Sequence, residues 1–130
     1  MARSPSRHPT ELELEILKIL WRLGSATVGQ VRDALAGYRD LAYTSVMTTM
    51  STMHDKGYLA RAKEGMGYVY QAAVSEKDTA QGMLKDLLNR VFERSPEAVL
   101  TNLLETSDLD AEELKRLRKL INHKLREETP

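Results

Sequence analysis

Cysteine is absent from this chain, which rules out disulfides, thiolate metal sites and cysteine nucleophiles and fits a reducing, cytoplasmic setting. Aromatic residues are few: one Trp, one Phe and five Tyr in 130 residues. Leucine and methionine must then supply most of a core. No apolar run approaches the ~18 residues that would cross a bilayer, so no membrane insertion is expected. Residues 1–9 carry charges with no apolar segment behind them, and read as a flexible arm rather than a signal peptide. A surplus of positive charge is missing too, since 19 basic residues balance 19 acidic ones. Residues 1–72 hold nine basic and seven acidic residues and residues 73–130 hold ten and twelve, so the first part is the better candidate for a phosphate-facing surface. Chemical constellations are lacking as well. There is no nucleophile–base pairing, no phosphate-cradling glycine loop and no carboxylate pair in an evident cleft. His8, His54 and His123 lie on separate segments without ligand spacing. No enzyme, no metal site and no cofactor is expected.

What is present is a sequence of well-marked helices around one hairpin. Thr10 with Glu13 forms a capping box, followed by Leu12, Ile16, Ile19, Leu20 and Leu23 at helical spacing. Gly24 ends that helix, and Trp21 reads as its core anchor. Thr27 with Gln30 opens a second, short helix bearing Val28, Val31 and Leu35 and ending by Gly37. A third helix runs from about Tyr43 to Lys56 and is closed by Gly57. Two strand-like runs follow, Tyr58 to Lys63 and Tyr68 to Gln71, joined by the turn Glu64-Gly65-Met66-Gly67. Helix, helix, helix, hairpin is the winged helix-turn-helix order, with a short strand near Ala26 available to pair with the hairpin. From Ser75 the chain is helix only. Met83, Leu84, Leu87, Leu88, Val91 and Phe92 make one apolar face, and Ser95-Pro96 opens a helix with Leu100, Leu103 and Leu104. Asp110 with Glu113 caps a last helix carrying Leu114, Leu117, Ile121 and Leu125. The expected fold is mostly α, with a small antiparallel β wing. A winged-helix head spans residues 10–74 and a helical dimerisation tail spans residues 75–130.

The third helix has an unusual composition. On a helical wheel Val46, Met50 and Met53 cluster on one side, flanked by Tyr43, Met47 and His54. Its methionines are read as core filler. Opposite them lie Thr44, Ser45, Thr48, Thr52 and Asp55, with Thr49 and Ser51 at the edges and no lysine before Lys56. A solvent-facing Thr/Ser stripe costs tenths of a kcal/mol per residue in helix propensity. A major groove explains that cost, because hydroxyls bond base edges and phosphates and the Thr methyl packs on a thymine methyl. Arg61 and Lys63, two apart on one strand face, are placed to meet phosphates or a minor groove. Tyr68 and Tyr70 share a face as well, and are expected to pack on the core.

These residues resemble the penicillinase repressor family. The resemblance lies in Glu11 to Trp21, in Thr27-Val28-Gly29-Gln30-Val31, in Leu41 to Met50, and in Lys63-Glu64-Gly65 with Tyr68-Val69-Tyr70. The tail is similar in length and pattern only. The resemblance implies a cytoplasmic homodimeric repressor on a double-stranded inverted-repeat operator with a TACA/TGTA-type dyad. Its DNA-binding residues would be Tyr43, Thr44, Ser45, Thr48, Thr49, Thr52, Arg61 and Lys63, and its dimer residues Leu84, Leu87, Leu88, Leu103, Leu114, Leu117, Ile121 and Leu125. In the antibiotic-resistance branch of the family a membrane sensor with a zinc-protease domain triggers a cut at an Asn–Phe bond in the tail. The matching position here is Asn102-Leu103, with leucine in place of phenylalanine. The copper-responsive branch uses a C-terminal cysteine cluster, which this chain lacks. Met66 stands where family members often carry arginine or another polar residue. Taken alone, the residues leave two other functions open: a winged-helix regulator switched by a small ligand, and a winged-helix protein-interaction module that never touches DNA.

Overall fold

Side-chain caps decide where most of the helices begin. The computed structural model describes residues 8–129; residues 1–7 of the expected N-terminal arm lie outside that range. Thr10 opens α1 (Glu11–Leu23), its hydroxyl accepting the Glu13 N–H at 3.2 Å while the Glu13 carboxylate accepts the Thr10 N–H at 2.9 Å. The same reciprocal box, Thr27 with Gln30, opens α2 (Val28–Leu35). α3 (Tyr43–Asp55) starts after Ala42 with no side-chain cap. Ser75 precedes α4 (Glu76–Arg90) and accepts the Asp78 N–H at 3.0 Å. Ser95 and Asp110 cap α5 (Pro96–Thr106) and α6 (Ala111–Glu128). Each such cap satisfies a backbone donor that the helix itself leaves open.

Three antiparallel strands complete the first part of the chain: β1 (Ala26–Thr27), β2 (Leu59–Glu64) and β3 (Gly67–Ala72), in the order β1-β3-β2. Ala26 pairs with Tyr70, and the β2–β3 register runs from Leu59 opposite Ala72 to Glu64 opposite Gly67. β2 starts one residue later than its pattern suggests, because the Tyr58 N–H closes α3 by donating to the Met53 carbonyl at 2.9 Å. The two-residue turn Gly65-Met66 needs a left-handed backbone at its first position, and Gly65 adopts φ 61° there.

The core is built from α1, α2, α3 and the three strands. Ile16, Leu17, Leu20, Val31, Leu35, Val46, Met50 and Met53 are fully buried, closed below by Leu59 and Tyr70. Glu13 is buried with them at 3 % exposure, and its carboxylate meets Lys56 Nζ at 2.9 Å, joining the start of α1 to the end of α3. Arg39, in the connection before α3, binds Glu15 of α1. Trp21 Nε1 donates to the Val74 carbonyl at 2.9 Å, tying the chain that leaves β3 back to α1.

The chain divides into two compact units, Met1–Lys85 and Asp86–Pro130, the boundary falling inside α4. No residue of α4, α5 or α6 is buried. The α4–α5 connection turns through Glu93 and Arg94 at φ 49° and 65°, a left-handed pair without glycine. The Arg94 N–H donates to the Leu88 carbonyl at 3.0 Å, which closes the end of α4.

Candidate nucleic-acid interface

α3 is held rigidly from behind and open in front. Val46, Met50 and Met53 lock one face into the core, while Thr44, Ser45, Thr48 and Thr52 stand exposed on the other. Thr49 is half-buried, and its hydroxyl donates to the Ser45 carbonyl at 2.9 Å, so its donor is spent within the helix. Tyr43 is exposed in the first turn. One expectation needs correcting: Met47 is exposed rather than core filler, because it lies at the rim where α3 faces the hairpin instead of α1.

The hairpin carries the cations. Arg61 lies opposite Tyr70 and Lys63 opposite Tyr68, so all four side chains share one face. The two tyrosines part company along it. Tyr70 is 2 % exposed, since β1 pairs there and presses it on the core, whereas Tyr68 is 42 % exposed beyond the reach of β1. Tyr68 is therefore not a core residue, as its pattern had suggested. It serves instead as a platform: the Arg61 guanidinium lies 4.2 Å from its ring centroid, and Arg61 Nη1 donates to the Tyr70 hydroxyl at 3.5 Å. The Tyr70 hydrogen bond is the main cause of an upward shift in the Arg61 pKa. The side chain is thus a permanently charged group with a restricted orientation.

Two further features escaped the sequence pattern. Arg32 of α2 lies with its guanidinium 5.9 Å from the Tyr43 ring centroid, adding a cation beside the start of α3. Lys56 is committed to Glu13, so it anchors α3 rather than projecting from it. Only the folded chain brings these pairs together. Between α3 and the hairpin lies a concavity of about 370 Å³, lined by Tyr43, Met47, Met66 and Tyr68 with Thr27, Val28, Glu64, Gly67 and Tyr70. Its one charged lining residue is Glu64. No group of three or more His, Asp or Glu among the described residues is arranged to hold a metal ion, and no helix among them is long and apolar enough to cross a membrane.

In the tail, Leu84, Leu87, Leu103, Leu114, Ile121 and Leu125 are exposed, and Leu88 and Leu117 are half-buried. Leu104 and Leu120 are exposed as well. On α6, Leu120, Ile121 and Leu125 form an apolar strip edged by Lys124 and Glu128. Asn102 and Leu103 are exposed in the middle of α5, with Asn102 Nδ2 donating to the Ala98 carbonyl at 2.9 Å.

Comparison with known proteins agrees with this geometry. The family model described as penicillinase repressor matches residues 9–123. The methicillin resistance regulatory protein MecI of Mammaliicoccus sciuri is 25% identical over 112 residues, covering 86% of this chain and 91% of its own. The penicillinase repressor of Bacillus licheniformis is 27% identical over 118 residues, covering 90% and 92%. The solution structure of the DNA binding domain of the repressor BlaI superposes with a TM-score of 0.50 at 27% identity, over 60% of this chain and 93% of that one.

Proposed function

The chain belongs to the penicillinase repressor family of winged-helix, DNA-binding transcriptional repressors, and from that premise we propose that it works as a homodimer on an inverted-repeat operator. α3 enters the major groove, with Thr44, Ser45, Thr48 and Thr52 toward base edges and Tyr43 and Thr49 beside them. Arg61 and Lys63 meet phosphates on the flanking strand. This reading rests on the exposed hydroxyl face of α3, whose opposite face is locked in the core. Water gives no reason for such a face at that cost in helix propensity, and a base-edge surface does.

Two copies pair through the tail, because α4, α5 and α6 bury nothing by themselves while carrying a continuous series of exposed leucines. The test compares the full chain with a fragment ending after Lys85, by sedimentation and by anisotropy on a duplex enriched from a random-sequence pool. The cut belongs there rather than before Val74, whose carbonyl takes the Trp21 hydrogen bond. The fragment should be monomeric, with weak, salt-dependent binding. A fragment that is still a tight dimer overturns the dimer assignment; a full chain that binds no duplex overturns the DNA assignment.

Repression ends, in this reading, by a cut at Asn102-Leu103, with a membrane sensor protease as partner. The bond is exposed but helical, so α5 must open locally before a protease can take it in extended form. The cut separates the α6 strip from the head and removes the avidity of the paired heads, without unfolding either one. Blotting the tagged protein in its host during cell-wall antibiotic challenge tests this. Full-length protein persisting while target genes are induced would transfer the switch to an effector ligand.

A further inference from the structure

The wing ends in an apolar point. Met66 is fully exposed. It sits in the turn between β2 and β3 with Gly65 before it and Gly67 after it, and a Cβ at either glycine would meet nothing within 4 Å. Its neighbours thus leave it bare on both sides. The wing cations stand back from it: Lys63 is level with Tyr68 and Arg61 with Tyr70. The charge nearest the tip is negative, Glu64, opposite Gly67. The tip itself thus carries no cation to hold a phosphate. On its inner side Met66 shares the concavity of about 370 Å³ with Met47 of α3, so the tip and the reading helix line one hollow.

In the DNA-binding reading, α3 lies in a major groove, the neighbouring backbone strand runs past the hairpin, and the tip reaches toward the next minor groove. The Arg61 guanidinium, parked on the Tyr68 ring, is then at the level of the phosphates, and Met66 is beyond them. We propose that Met66 is a minor-groove wedge, which enters between two base pairs, partly unstacks them, and makes the deformability of that step part of operator choice. The proposal rests on the DNA-binding reading above. An unbranched thioether suits the role, being slender, adaptable and without a polar group to desolvate. Apolar side chains inserted from the minor groove kink duplexes in this way, and pyrimidine–purine steps yield most easily. An arginine at the same place would instead be held by phosphates or by the potential of a narrow groove.

The experiment uses the full chain and the duplex it enriches from a random-sequence pool, with 2-aminopurine placed singly at successive positions and end-to-end energy transfer reporting the bend. Wild type should brighten the probe at one step per half-site, outside the α3 footprint, and bend the duplex. Met66→Ala should abolish both signals and lose roughly tenfold in affinity. Met66→Leu should restore them. Met66→Arg should bind without brightening and with a steeper salt dependence. Replacing the brightened step by a stiff A-tract step should weaken wild type and leave Met66→Ala unchanged. Equal brightening and bending by wild type and Met66→Ala overturns the wedge, and so does salt-dependent wild-type binding with no bright position. If wild type binds no duplex at all, the DNA-binding reading itself falls and takes the wedge with it.

Discussion

The two units of this chain solve the problem of burial in opposite ways. The head, with three helices and a three-stranded sheet, encloses every fully buried side chain among the described residues, from Ile16 to Met53, and even a carboxylate, Glu13. The tail has good caps, a proline at the first position of α5 and leucines recurring along all three helices, yet none of those helices buries a residue. Good local signals therefore make helices in both, but only the head turns helices into a core. The difference is geometric: α1, α2 and α3 pack on one another and on a sheet, whereas the tail leaves its apolar strips facing outward. The head thus carries a core of its own, and α4, α5 and α6 do not.

The sharpest way to break this contrast is to truncate a leucine in each unit. Leu20→Ala, at a site 1 % exposed, should cost about 2–5 kcal/mol at any protein concentration. Leu125→Ala should leave the melting of the head unchanged and weaken only the concentration-dependent part of a thermal melt. Next in size is Glu13. Glu13→Ala removes the carboxylate half of the capping box on α1 and leaves Lys56 without its partner, and should cost about 2–3 kcal/mol in denaturant titration. Glu13→Gln should cost less, because its side chain still accepts the Thr10 N–H. Within the interface, Thr48→Ala should lose about 1–3 kcal/mol of discrimination between operator and random DNA if it meets a base. Lys63→Ala should instead weaken all sequences alike and flatten the salt slope by about one per head; anisotropy over a salt series separates the two. The smallest effect belongs to Tyr58. Burial, followed by the nearby Glu13 charge, raises its pKa above the ordinary 10.0, with Lys56 opposing. The folded state therefore holds that proton longer than the unfolded one. Stability from this group is complete below pH 10 and is lost as pH rises through the folded value. In ultraviolet titration Tyr58→Phe should remove a step that lies above pH 10.

Much of this organisation was legible in the chain itself, wherever the signal was local. Thr10 with Glu13, Thr27 with Gln30, Ser95-Pro96 and Asp110 with Glu113 each mark a helix start within four residues, and each cap forms. The hairpin and the pairing of Ala26 followed from glycine placement and strand pattern in the same way. What escaped depends on distance. Glu13 reads as half of a capping box, and nothing near it in the chain announces that Lys56, 43 residues on, will take its other oxygen. Tyr68 and Tyr70 have identical local patterns. They differ because β1 is only two residues long and covers one of them, leaving the rest of the hairpin projecting from the core. Met47 misled for the same reason: helical spacing fixes the face of a side chain but not where the opposing element ends.

The hydrogen bond from Trp21 to Val74 has an optical consequence. The chain contains a single tryptophan, and its indole nitrogen is attached to the backbone where the polypeptide leaves the sheet. Intrinsic fluorescence excited at the red edge therefore comes from one chromophore at one address. Its emission is a native gauge of whether the exit of the head is docked, readable without a label and in the presence of unlabelled DNA. Replacing Trp21 by phenylalanine would silence the gauge while keeping an aromatic ring on α1, and supplies the blank against which its colour is measured.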